Sequence, residues 1–114
     1  MCGRFTLTTE LEQLEERFSF HAANLAFTPH YNIAPSQQVL TVIGAEGHRA
    51  GFLRWGLIPS WTKDLSIGNR MINARAESVA EKPSFRRALQ KRRCLVLADG
   101  FYEWRKEGKI KTPM

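Results

Sequence analysis

The rhythm of apolar and polar positions changes several times along the chain. Leu11, Leu14 and Phe18 fall at i, i+3 and i+7, which predicts a short amphipathic helix over residues 9–18, and Thr9 followed by Glu12 fits a capping box at its start. No period holds over residues 20–36, where Pro29, Asn32 and Pro35 punctuate an irregular loop. Residues 38–43 and 49–55 are rich in β-branched, aromatic and aliphatic side chains, and the Gly-Ala-Glu-Gly-His between them predicts a hairpin. Residues 72–76 suit a short extended segment. Residues 84–92 predict a second helix capped by Ser84, with Phe85 and Leu89 on one face and basic residues on the other.

The continuous apolar run 94–98 predicts a strand buried on both sides, and it makes Cys94 an inert core thiol. Asp99-Gly100 then reads as a sharp kink, 101–106 as alternating aromatic and polar strand positions, and Ile110 as the start of a further strand. Strand-like stretches outnumber helices, so the expected fold is α+β with a mainly antiparallel sheet and short flanking helices. The chain has 114 residues, which suits a single core, and no apolar run approaches the roughly 18 residues of a membrane span. The start lacks the apolar stretch of a secretory signal, so the expectation is a soluble, cytoplasmic protein with no membrane partner. Its two cysteines would then both be thiols.

Charge divides the chain. Residues 1–48 carry a net charge of −3 and residues 49–114 a net charge of +9. In the basic part Arg54, Arg70, Arg75, Arg86, Arg87, Lys91, Arg92 and Arg93 are interleaved with Trp55, Trp61, Met71 and Phe85, a mixture that suits phosphates and stacked bases. A solvated basic face over ordinary core aromatics fits the same composition. His21, His30 and His48 are scattered, no Cys/His pair has ligand spacing, and neither GxGxxG nor GxxxxGK[ST] is present. Neither a metal nor a nucleotide cofactor is expected.

Cys2 stands out by position. Removal of Met1 would give a thiol and an α-amine on adjacent carbons, a 1,2-aminothiol. Such a pair condenses with an aldehyde through nitrogen and closes to a thiazolidine through sulfur; it can also act as an amino-terminal nucleophile with its own amine as base. The plain alternative is a small residue that merely follows the start. Glu103, flanked by rings in Gly-Phe-Tyr-Glu-Trp, would be shielded from water and suited to proton transfer, or else be an outward-facing strand residue. Asn73 and Arg75 would share one face of their extended segment, available for a sugar or phosphate oxygen or for structural hydrogen bonds. Arg4, beside Cys2, would attract phosphate.

Met-Cys-Gly-Arg-Phe at the start, Tyr-Asn-Ile-Ala-Pro at 31–35, Trp-Gly-Leu-Ile-Pro-Ser-Trp at 55–61, Ile-Asn-Ala-Arg-Ala-Glu at 72–77 and Ala-Asp-Gly-Phe-Tyr-Glu-Trp at 98–104 occur in that order. The set closely resembles the SRAP family of SOS response-associated peptidase-like proteins, over essentially the whole chain. The resemblance implies a barrel-like fold. It also implies an abasic site processing activity: in this family Cys2 forms a covalent thiazolidine crosslink with the abasic-site aldehyde in single-stranded DNA, protecting the lesion. Asn73 and Glu103 would be catalytic beside Cys2, Arg4 and Arg75 would hold backbone phosphates, Pro35 and Trp61 would wedge against the DNA, and Arg86 would extend the groove. Lyase activity, peptidase or amidohydrolase activity with Cys2 as nucleophile, and non-covalent binding of single-stranded DNA are the other activities to weigh. The family's histidine in the second half of the domain has no counterpart among His21, His30 and His48. Residues 1–114 are therefore expected to form the amino-terminal portion of one SRAP-like domain, ending mid-sheet and completed by a further segment or a second chain.

Overall fold

The computed structural model describes residues 2–22, 25–44, 47–107 and 110–113. It contains two three-stranded antiparallel sheets and two α-helices. In the first sheet β1 (Phe5–Leu7) lies between β2 (His30–Ile33) and β6 (Gly100–Phe101). In the second, β3 (Gln38–Ile43) lies between β4 (Arg49–Arg54) and β5 (Cys94–Val96). A separate hairpin joins β7 (Trp104–Glu107) to β8 (Ile110–Pro113). None of the described helices is long and apolar enough to cross a membrane.

Central strands need apolar residues on both faces, and β3 supplies them: Val39, Leu40 and Val42 are buried together with Thr41. Thr41 can be buried because its hydroxyl donates to the Gly51 carbonyl across the ladder at 2.9 Å, leaving no orphan polar atom. Phe5, Leu7, Leu14, Phe20, Ile33 and Leu97 join these residues in one core shared by both sheets. The chain passes from one sheet to the other within four residues. Leu97 N–H donates to Leu40 O at 3.1 Å in the second sheet, and Asp99 N–H donates to Thr6 O at 3.0 Å in the first.

The first helix, α1 (Leu11–Phe18), buries Leu14 and half-buries Leu11 and Phe18, as their spacing requires. Its cap lies one residue later than the capping box implied. Glu10 occupies the cap position with no side-chain cap, because the Thr9 hydroxyl is engaged by Asp99 instead. Its end is the left-handed residue Ser19 (φ 52°), whose N–H returns to Glu15 O. The second helix, α2 (Pro83–Lys91), begins on a proline, whose missing N–H costs nothing at that position, and Ser84 is thus inside the helix rather than its cap. The irregular loop contains the short strand β2, and residues 72–76 form no strand among the described residues.

The largest correction concerns β5. It is an edge strand, with Leu95 57% and Val96 51% exposed, and only Leu97 just beyond it is buried. β3 already holds the central place, and α2 stands off from β5 across a hollow of about 910 Å³ lined by Val42, Phe85, Ala88, Leu89 and the β5 side chains. Cys94 is exposed on this strand rather than a core thiol, although the hollow's walls withdraw it from water enough to push its pKa up. That favours the protonated, poorly nucleophilic form.

Candidate functional site

The amino-terminal segment runs along the first sheet and is held by residues far away in sequence. Asn73 Nδ2 donates to the Cys2 carbonyl at 2.9 Å. Cys2 is half-buried against the core, and its thiol lies 3.6 Å from the Arg4 carbonyl. That same carbonyl accepts the Tyr102 N–H at 3.0 Å, which continues the β1–β6 register one pair outward from Phe5 and Phe101. Glu103, half-buried, follows directly on that edge. Cys2, Asn73 and the segment bearing Glu103 thus converge from three parts of the chain on the start of β1.

Arg4 is exposed and oriented. Its Nη1 donates to Asn32 Oδ1 at 2.9 Å, so the guanidinium is held over β2. Tyr102 ties the opposite strand to the same place, its hydroxyl donating to the Tyr31 carbonyl at 2.8 Å. Trp55 joins three of the motifs. Its ring tilts against Phe5 at 5.1 Å between centroids, its indole N–H donates to Ile72 O at 3.1 Å, and its carbonyl accepts the N–H of Ser36, next to Pro35, at 2.9 Å. Pro35 is thereby seated, half-buried, beside the segment that delivers Asn73.

Trp61 is 66% exposed. Its loop is pinned at Gly56 (φ 127°), where a Cβ would come 2.3 Å from the Gly68 carbonyl, so only glycine permits the loop to lie on the short 3-10 helix Leu65–Asn69. Asp64 caps that helix by accepting from the side chain and the N–H of Ser66, and these bonds lower its pKa. Arg75 is exposed two residues beyond Asn73, and Arg86 is exposed on α2. Arg4 and Asn73 are held by hydrogen bonds at the start of β1, and Pro35 is joined to it through Ser36 and Trp55; Trp61, Arg75 and Arg86 stand on surrounding segments. Among the described residues no group of His, Cys, Asp or Glu side chains is gathered to hold a metal ion.

Asp99 is the strongest polar anchor of the region. Its carboxylate accepts the Thr6 hydroxyl at 2.6 Å, the Thr8 N–H at 2.6 Å, and the N–H and hydroxyl of Thr9 at 2.8 Å each. Partial withdrawal from water raises its pKa, but the hydrogen bonds from Thr6, Thr8 and Thr9 outweigh this and hold it well below the usual carboxylate range. The folded state therefore binds fewer protons than the unfolded one. The stabilisation is complete above the ordinary aspartate value of about 3.9 and is lost as pH falls from there toward the folded value. Thermal unfolding at pH 6 and pH 3 should show this loss, and Asp99→Asn should flatten the pH dependence while lowering the pH 6 midpoint.

The family model for SOS response associated peptidase (SRAP) matches residues 1–114. The chain belongs to the SRAP family. The abasic site processing protein YoqW of Bacillus subtilis (strain 168) is 51% identical over 118 residues, covering 100% of this chain and 53% of YoqW. The abasic site processing protein HMCES of Rattus norvegicus is 48% identical over 58 residues, covering 47% of this chain and 16% of that protein. A crystal structure of a protein from Bacteroides thetaiotaomicron superposes with a TM-score of 0.82 at 25% identity, covering 98% of this chain and 52% of that one. This SRAP chain spans about half the length of YoqW.

Asn32, Trp55, Tyr102 and Asp99 were not among the SRAP site residues expected from sequence. All four lie inside or beside the quoted motifs, so their presence was visible. Their pairings were not, because each joins segments that only the folded sheet brings together.

Proposed function

We propose that the protein binds single-stranded DNA at an abasic site and joins Cys2, freed of Met1, to the ring-opened sugar aldehyde as a thiazolidine. The observation that carries the reading is the Asn73–Cys2 bond: a side-chain amide 71 residues away fixes the residue that would bear both reacting groups. The family and the names of its relatives support it. In the reaction the α-amine adds to the aldehyde carbon, the carbinolamine loses one water to give a Schiff base, and the Cys2 sulfur adds to the imine carbon while its proton passes to nitrogen. The DNA stays attached through one C–N and one C–S bond.

Holding Cys2 in place converts ring closure into a step between pre-positioned groups. Glu103, at the edge of the same sheet, would carry protons to the departing hydroxyl and from the thiol. Arg4, steadied by Asn32, and Arg75 would grip the flanking phosphates, Pro35 and Trp61 would wedge against the strand, and Arg86 would lengthen the basic track. Slow ring closure would leave the Schiff base open to β-elimination, which is how a lyase activity would arise. The place of action would be the nucleoid in the cytoplasm.

The test is the denatured intact mass before and after incubation with a single-stranded oligonucleotide carrying one abasic site. The expected result is a protein lacking Met1 that gains the oligonucleotide mass less one water. A processed protein that gains nothing overturns the covalent reading in favour of reversible binding.

A further inference from the structure

The latch that closes the far end of β1 is not part of the expected site, yet it sits on the strand that carries Cys2. Asp99 grips β1 twice at one residue: its N–H donates to Thr6 O at 3.0 Å, and its carboxylate accepts the Thr6 hydroxyl at 2.6 Å. Its other oxygen accepts from Thr8 and Thr9, fixing the turn by which the chain leaves the strand. The next residue shows that the fit is close, because a Cβ on Gly100 would lie 2.8 Å from Thr6 Oγ1 and push the hydroxyl off Asp99. Two pairs further along, Tyr102 N–H donates to Arg4 O, the carbonyl that also faces the Cys2 thiol. Only Gly3, Arg4 and Phe5 separate Cys2 from Thr6; the chain bends at Gly3, and the Tyr102 bond to the Arg4 carbonyl pins the segment between them.

We infer that Asp99 is a positioning residue for Cys2: its carboxylate fixes β1 lengthwise through Thr6, and so holds the Cys2 thiol against the Arg4 carbonyl where Asn73 grips its backbone. This rests on the proposed crosslinking activity for its consequence in DNA chemistry, but the placement of Cys2 can be measured without DNA. A carboxylate is needed because one side-chain group must accept hydrogen bonds on both oxygens at once, and an amide in its place turns one acceptor into a donor facing donors.

The experiment compares the wild-type chain with Asp99→Asn, Thr6→Val and Thr6→Ser. The first readout is the rate of iodoacetamide alkylation at Cys2 and at Cys94, resolved by peptide mass. Asp99→Asn is expected to speed alkylation of Cys2 several-fold and Thr6→Val to do so less. Thr6→Ser, which keeps the hydroxyl, should stay near wild type, and Cys94 on the second sheet should be unchanged throughout. Equal Cys2 rates in all four proteins overturn the inference, as does a parallel rise at Cys94, which would mean general loosening of the fold. The second readout is the first-order rate of adduct formation at saturating abasic oligonucleotide. It is expected to fall about tenfold in Asp99→Asn while affinity for the intact oligonucleotide stays within twofold. An undiminished rate also overturns the inference. A wild-type protein that forms no adduct overturns the proposed function instead, and the alkylation rates then decide the placement of Cys2 alone.

Discussion

Cys2→Ala protein, freed of Met1 and mixed with an abasic oligonucleotide, leaves no species that survives denaturation. The loss is expected to be complete, because the variant keeps an amine that forms a hydrolysable Schiff base but has no sulfur to close the ring. Binding to the oligonucleotide before denaturation should persist, since Arg4, Arg75 and Arg86 are untouched, and should weaken steeply as salt is raised, as counterion release requires. A denaturing gel alongside a binding titration at two salt concentrations separates the two effects. An adduct of wild-type yield in the variant would remove Cys2 from the chemistry altogether.

Phe5→Ala is expected to destabilise the fold by about 3–5 kcal/mol, the usual range for truncating a buried aromatic side chain. Phe5 is 4% exposed on the central strand of the first sheet and pairs with both Ile33 and Phe101. A loss of that size is a large part of the roughly 5–15 kcal/mol that a domain possesses. The damage also reaches the site, because the Trp55 ring that packs on Phe5 holds the Ile72 carbonyl next to Asn73. Denaturant unfolding should show the midpoint fall, and Cys2 reactivity should change with it. Unfolding within about 1 kcal/mol of wild type would show that Phe5 is not central to the core.

Local pattern carried a good deal of this architecture. The β3–β4 hairpin was legible because two strand-like runs flank a glycine-bearing turn, and both helices because their apolar residues recur at helical spacing. The short strand β2 was not, since His30, Tyr31 and Asn32 are all exposed and give no alternation. The run at 94–98 misleads for a related reason: an apolar stretch is the same letters at an edge as at the centre, and only the neighbouring strands decide. Thr9 likewise fitted a local cap, but a carboxylate 90 residues away competes for it and wins. The types of residue at the candidate site could be read from the motifs, whereas the Asn73–Cys2 and Arg4–Asn32 pairs are properties of the tertiary fold.

The wide sequence separation of the contacts around Cys2 also orders events during synthesis. The segment before β1 can pair with β2 once residue 33 has emerged from the ribosome, but it cannot meet Asn73, Asp99 or Tyr102 until those residues have also been made. Closing such long loops is among the slower steps of folding. Until then Cys2 is undocked, and under the proposed function Met1 would be open to the peptidase that trims an initiator methionine. Under that reading the aminothiol would be uncovered first and only afterwards fastened into the sheet, so that a nascent chain would carry the reactive group before the geometry that directs it.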